Sequence, residues 1–268
     1  MEDPAARAAL ILATQAAGRQ IAPLTDADPS FDLPAARRVA HAVTAARMAR
    51  GEGMVGRKIG FTNVTIWDEY GVHAPIWGPV WDRTLHPADR PLPIGHLVEP
   101  RIEPEIILRL GADPAPGMGP EDLIACVDAL AHGFEIVQSL YPGWRFRAPD
   151  TVAAFALHGA LVTGPFVPLP PDARADWGAR LAGFGIELWR DGVLMDAGRA
   201  ANVLGGGPMA ALAHLLAEVA ADPLAPPLRA GEVISTGTLT RALPVAGGER
   251  WSTRLSGLPL PDFALAFA

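Results

Sequence analysis

A single cysteine, Cys126, stands in the 268 residues, so no internal disulfide can staple the fold, and the chain suits a reducing compartment. Cys126 falls in an apolar helical pattern, the setting of a small core residue rather than a nucleophile. Basic clusters are missing and the formal charge is −7, which speaks against nucleic acid and anionic membranes as partners. The opening Met1-Glu2-Asp3-Pro4 lacks the basic region of a secretion signal, and no apolar run is long enough to span a bilayer. The cytoplasm is therefore the expected location. No repeat or low-complexity tract stands out. Neither a G-x-S-x-G sequence nor a Cys/His pairing supports covalent nucleophilic catalysis.

What is present is apolar residues (50%), 28 glycines and 27 prolines, a composition suited to a β-rich, loop-rich body. Residues 5–18 and 34–50 carry helical periodicity, joined by a loop at 22–29. They form an expected N-terminal helical region, 1–53, ahead of a β-rich catalytic domain, 54–268. Between them Gly51-Glu52-Gly53-Met54-Val55-Gly56 matches G-x-G-x-x-G. The dinucleotide fingerprint needs a strand before it and a helix after it, whereas here a helix precedes and a strand follows. Residues 54–62 read as a strand, 63–71 as a helix closing at Gly71, and 73–81 as a pocket-lining loop or an edge strand. A helix is expected over 120–132, with Pro120, Glu121 and Asp122 in its first turn, then a short strand at 133–139. Asp150-Thr151-Val152 is suited to capping another short helix, with a strand near 159–164. Asp191-Gly192 marks a hairpin within 183–195. A loop at 198–205, a helix near 208–221 and strands near 231–240 and 262–267 complete an α+β body round a rolled or barrel-like mixed sheet.

The stretch with most chemical content is Arg101-Ile102-Glu103-Pro104-Glu105-Ile106. In a strand, Glu103 and Glu105 share one face, about 6–7 Å apart at the backbone. They are either a solvated acidic face or two oxygen ligands for one hard cation. Lys58, in an apolar glycine-flanked strand, either snorkels to solvent or, if buried beside a cavity, becomes an acid/base candidate.

Several stretches together resemble the 2-keto-4-pentenoate hydratase and 4-oxalocrotonate decarboxylase family of the fumarylacetoacetate hydrolase-like superfamily. They are Gly56-Arg57-Lys58-Ile59-Gly60-Phe61-Thr62, Gly71-Val72 with Pro75 and Gly78, and Arg101 to Ile106. Phe134-Glu135-Ile136-Val137 with Ser139, Asp150-Thr151-Val152-Ala153, Gly198 with Val203-Leu204-Gly205, and Ser235-Thr236-Gly237-Thr238-Leu239-Thr240 complete the ordered set. The resemblance implies that Glu103, Glu105 and Glu135 hold a divalent cation, Mg²⁺ or Mn²⁺, and that Lys58 is an acid/base. Three carboxylates overcharge a site without a cation, and three protein ligands leave positions for water and a 2-oxo acid. Such an ion would stabilise negative charge on the keto oxygen as an enolate forms. Arg57, Ser139 and Thr238 are possible contacts to the substrate carboxylate or to the groups around the ion. A homo-oligomer is implied, and a complex with an enzyme of the same pathway is compatible with it.

Three departures bear on the substrate. Ile76 stands at or beside the place where hydratases carry an acidic group that handles water, which looks closer to the decarboxylase branch. Ala154-Phe155-Ala156-Leu157-His158 replaces a polar Asp-Asn-Ala-Ser run, and Leu140 stands where an arginine is common. His158 could replace a lost proton donor, or be a satisfied core histidine; His73 carries the same pair of readings. The expected activity is a metal-dependent hydratase (a lyase) that adds water to a 2-hydroxy-2,4-dienoate or 2-oxo-4-enoate and yields a 4-hydroxy-2-oxo acid. The alternatives are a decarboxylase of a 2-oxo-3-enedioate, a hydrolase of acylpyruvate-like bonds, or an inactive partner subunit.

Overall fold

The computed structural model describes residues 3–268. Two N-capped helices lead the chain. In α1 (Pro4–Ala16) the Asp3 side chain accepts from the Ala5 N–H, and in α2 (Leu33–Ala49) Asp32 accepts from that of Ala35. Each cap satisfies a donor the helix itself leaves free, and proline occupies the first turn of both. Between them the expected loop contains a single helical turn, Leu24–Ala27. It is pinned from outside: the Thr25 N–H and hydroxyl both donate to buried Asp150, at 3.0 and 2.7 Å. Asp150 is the third residue of α3 (Ala148–Ala153) rather than its cap, and its carboxylate reaches back to the Arg147 N–H. Ile11, Leu12, Val39 and Val43 share one apolar cluster with Leu140, Tyr141 and Phe155. The leading helices thus pack directly on the segment beneath which the site lies.

The strands are β1 (Met54–Gly60), β2 (Ile76–Trp81), β3 (Leu85–Pro87), β4 (Arg101–Leu110), β5 (Val127–Val137) and β6 (His158–Thr163), then β7 (Gly185–Arg190), β8 (Val193–Arg199), β9 (Val233–Ser235), β10 (Arg250–Ser256) and β11 (Phe263–Ala266). The main sheet runs β2-β1-β9-β4-β5-β6-β3; two two-residue strands, Val167–Pro168 on β5 and Leu243–Pro244 on β4, bring it to nine. It is mixed: β1 with β9 and β3 with β6 are parallel, the rest antiparallel. This is the curled α+β sheet expected, and residues 73–81 supply its edge strand. A second sheet, β11-β10-β7-β8, includes the hairpin, whose Asp191 and Gly192 both have positive φ (49° and 82°) as a tight turn of that hand requires. The glycine-rich 51–56 segment is a helix end followed by β1. Gly56 is needed for contact instead: a Cβ there would lie 1.9 Å from the Val233 carbonyl oxygen of β9.

The expected helix over 120–132 is corrected. A single turn, Pro120–Leu123, and a 3-10 turn, Ile124–Cys126, give way at Val127 to an eleven-residue strand. Val-Asp-Ala-Leu-Ala looks helical by composition, but nearly every residue of β5 is buried between β4, β6 and the two faces. Tertiary burial overrides intrinsic preference there. Cys126 is buried and unpaired, in the turn rather than in a helix.

His132 on β5 is 2% exposed; among the described residues its Nε2 has no hydrogen-bond partner, and burial pushes its pKa down to about 3. The unfolded chain therefore takes up a proton before the folded one does, and stability falls as pH drops from about 6.5 toward 3. Urea unfolding at pH 7 and pH 5 should show His132→Phe losing about 2 kcal/mol less than the wild type over that interval. Equal losses would assign the acid sensitivity to other groups.

Candidate active site

Strand alternation puts Glu103 and Glu105 on one face of β4, and the antiparallel register sets Glu135 of β5 directly opposite Glu103. One oxygen from each of the three carboxylates lies within 4.8 Å of the others. Glu105 and Glu135 are fully buried, while Glu103 keeps an accessible edge. Glu105 is held by its Oε2, which accepts from the Ser235 hydroxyl at 2.5 Å and the Gly237 N–H at 2.8 Å. Only glycine fits that donor position: φ is +92°, and a Cβ would fall 1.8 Å from the Thr62 hydroxyl oxygen. The other oxygen, Oε1, is buried with no hydrogen-bond partner among the described residues.

Glu135 is held from two sides. Its Oε1 receives His158 Nδ1 at 2.7 Å, and the far ring nitrogen of His158 meets the Thr84 hydroxyl at 2.8 Å. Its Oε2 lies 3.2 Å from Lys58 Nζ, an ion pair without hydrogen-bond geometry. Lys58 Nζ donates instead to the Ala156 carbonyl at 2.8 Å. That carbonyl is presented by three successive left-handed residues, Phe155, Ala156 and Leu157 (φ 59°, 52°, 64°). Such a backbone costs roughly 1–2 kcal/mol per residue for L-amino acids. Gly60 keeps the space beside the ammonium open, since a Cβ there would come 2.8 Å from Lys58 Nζ.

The electrostatics are those of a site short of positive charge. Burial, then the charge of Glu135, raises Glu103 to about 8; burial, Glu135 and Glu103 push Glu105 well above the usual carboxylate range. Burial works the same way on Glu135, but Lys58 and His158 outweigh it and hold that carboxyl low. Burial alone would lower Lys58; Glu135, Glu103 and Glu105 reverse this and keep it an ammonium. Three carboxylates converging on one point, two of them carrying a buried oxygen with no hydrogen-bond partner among the described residues, fit a hard divalent cation with positions left over.

The structure brings Lys58, Glu103, Glu105, Glu135 and His158 together. Arg57 is elsewhere: as the neighbour of Lys58 in β1 it points to the opposite face, where its guanidinium pairs with Glu232 at 2.7 Å and donates to the Pro226 carbonyl. Ser139 and Thr238 spend their hydroxyls on local turns, with Tyr141 and Thr240 respectively. Ile76 pairs with Gly60 on the Lys58 face of the β1–β2 ladder. His73 is exposed, 3.9 Å from Asp68. The cleft over the site, of about 20 Å³, is lined by Lys58, Glu103, Phe61, Tyr70, Trp144 and Leu157. A larger cavity of about 310 Å³ lies between α2, the edge strand β2 and the helix Pro208–Ala221. None of the three glutamates, nor Lys58, lines it, and chemistry outranks size here. Ser235, Gly237, Thr84, Tyr70 and the Ala156 carbonyl were missed by sequence reasoning. The first two lie in a quoted motif, and alternation along it could have singled them out.

No family model matches the chain. A 2-keto-4-pentenoate hydratase of Burkholderia vietnamiensis is 32% identical over 255 residues, covering 95% of this chain and 94% of that one. A 2-hydroxyhexa-2,4-dienoate hydratase of Comamonas testosteroni is 33% identical over 243 residues, covering 90% and 89%. Among solved structures, 4-oxalocrotonate decarboxylase from Pseudomonas putida G7, complexed with magnesium and adipate, superposes with a TM-score of 0.89 at 27% identity, covering 99% and 97%.

Proposed function

Because the chain belongs to the 2-keto-4-pentenoate hydratase family, we propose that it is a lyase that hydrates a small 2-hydroxy-2,4-dienoic acid to a 4-hydroxy-2-oxo acid with Mg²⁺ or Mn²⁺. The observation that carries this reading is the convergence of Glu103, Glu105 and Glu135 within 4.8 Å beside a buried ammonium. A divalent cation held by these three side chains would supply Lewis-acid stabilisation of negative charge on the substrate's 2-oxygen. Ser235 and the Gly237 N–H fix Glu105, and His158, backed by Thr84, fixes Glu135, so neither carboxylate reorients during the reaction. With both ring nitrogens engaged, His158 acts here as a positioning residue. Lys58 Nζ, anchored on the Ala156 carbonyl, serves as the acid/base for two proton transfers to carbon: the proton leaving the 2-hydroxyl goes to C5 as the keto group forms, and the proton released by the water added at C4 goes to C3. Phe61, Val137 and Leu157 keep bulk water from the reacting carbons.

No helix among the described residues is long and apolar enough to cross a membrane. We propose a cytoplasmic homo-oligomer; exposed Val193 and Leu194 at the β7–β8 hairpin support the assembly.

The test is disappearance of the diene absorbance of 2-hydroxypenta-2,4-dienoate in Mg²⁺, abolished by a chelator. No turnover with metal present would refute it. Decarboxylation of a 2-oxo-3-enedioate is the second reading, favoured by the structural likeness at TM-score 0.89 and by Ile76. Release of CO₂ from 2-oxohex-3-enedioate, with the dienoate untouched, would establish that one instead.

A further inference from the structure

Hydration needs more than the carboxylate end. Water has to be held beside a carbon two bonds beyond the keto group, away from Glu105 and Glu135. The cleft offers few groups to do this. Beyond Lys58 and Glu103 its side-chain lining is apolar except for two aromatics with polar tips, Tyr70 and Trp144. The Trp144 indole N–H is already given to the Glu99 carbonyl at 3.1 Å. The Tyr70 hydroxyl remains.

That hydroxyl is set in place with unusual care for a cleft wall. Its oxygen accepts from Arg101 Nη1 at 2.7 Å, so its own proton points elsewhere. Arg101 lies two residues before Glu103 on the same face of β4, stacked 4.3 Å over the Trp144 ring. Among the described residues no carboxylate comes within ion-pair distance of Arg101, so the phenol is its one polar side-chain partner. The Tyr70 ring is wedged edge-on to Phe61 and Trp144 and stacked on Phe146. Burial pushes the phenol up to about 12, so it keeps its proton at neutral pH. A substrate that lies over Lys58 and Glu103 occupies the cleft that Tyr70 also lines.

We propose that Tyr70 is a substrate-contacting residue that donates its phenolic hydrogen bond to the oxygen joined to C4, as water in the hydration direction and as the product hydroxyl in reverse, with Arg101 as its positioning residue. The assignment rests on the hydratase reading and deepens it: it supplies, from the β1–β2 connection six residues earlier, the water-handling group that Ile76 cannot be. It makes the site selective for reactions that place oxygen at C4. Chemistry confined to C2 and C3 does not use it.

The test compares two reactions of the Mg²⁺-loaded wild type and Tyr70→Phe, a change that keeps the ring and its stacking. One is hydration of 2-hydroxypenta-2,4-dienoate. The other is exchange of the C3 hydrogens of 2-oxopentanoate in D₂O, followed by NMR, which needs the cation and an acid/base but no water at C4. Tyr70→Phe should lower kcat for hydration roughly ten- to a hundredfold, with C3 exchange and the Mg²⁺ titration midpoint within about twofold of wild type. Unchanged hydration, or a parallel loss of both reactions, would overturn the assignment. A wild-type protein that exchanges C3 hydrogens but never hydrates would overturn the hydratase reading, and the role of Tyr70 with it.

Discussion

Glu105→Gln is expected to stabilise the metal-free protein and to destroy its activity. The side chain is buried beside Glu103 and Glu135, with one oxygen tied to Ser235 and Gly237 and the other without a hydrogen-bond partner among the described residues. Glutamine keeps the shape. Its carbonyl can accept the same two hydrogen bonds while its amide donates toward the neighbouring carboxylates, so the repulsion that raises Glu105 and Glu103 is relieved. Each kcal/mol so gained raises Tm by about 2–4 °C for a chain of this size class. Losing one of three charged ligands costs the site its cation. The hydration rate should fall by on the order of a thousandfold, the scale of several kcal/mol of lost charge stabilisation. Thermal unfolding with and without Mg²⁺ reads both effects. The metal-free midpoint rises, and the upward shift on adding Mg²⁺ disappears. A buried carboxylate kept only for structure would give the reverse, a lower midpoint with activity intact.

Lys58→Met should separate the same two quantities in the opposite sense. The ammonium is 3.2 Å from Glu135 in a fully buried setting, and it offsets a cluster that otherwise carries uncompensated negative charge. Removing one partner of such a pair typically costs about 3–5 kcal/mol. The metal-free variant should therefore melt well below wild type. Added Mg²⁺ should restore much of the loss, because the cation replaces the missing positive charge. Metal affinity does not weaken, since Lys58 repels a cation rather than binding it. Turnover nonetheless falls by roughly 10²–10⁴, the scale of a lost acid/base. Metal rescue of stability without rescue of rate is the signature. If the variant neither loses stability nor responds to Mg²⁺, Lys58 is not part of this charge balance.

The sequence made some of this legible, for reasons visible at particular residues. The two-residue spacing of Glu103 and Glu105 announces a shared face as soon as 101–110 is read as a strand. The third carboxylate is different. Its place opposite Glu103 depends on the β4–β5 register, and with 120–132 read as helix nothing but the motif around Glu135 brought it in. The strand won because burial on both faces, absent from a one-dimensional pattern, outweighs the helical preference of alanine and leucine. Arg57 could have been set aside beforehand, since adjacent residues of a strand cannot both face one site. Ser139 and Thr238 were plausible from their motifs, but short hydroxyl side chains readily close turns on their own backbone, as both do here. The carbonyl that anchors Lys58 left no trace at all. It exists because Phe155, Ala156 and Leu157 adopt a left-handed path that none of the three prefers alone, with Phe155 packed in the apolar cluster of α1, α2 and α3 and Leu157 against Val137 and Trp144.

The most direct measurement is an anomalous difference map from crystals soaked in Mn²⁺. One peak per chain is expected, within about 2–2.5 Å of an oxygen from each of Glu103, Glu105 and Glu135, with the Glu105→Gln crystals showing none. A peak at some other cluster, or coordination that leaves Glu135 out while Lys58 stays paired to it, would contradict the account.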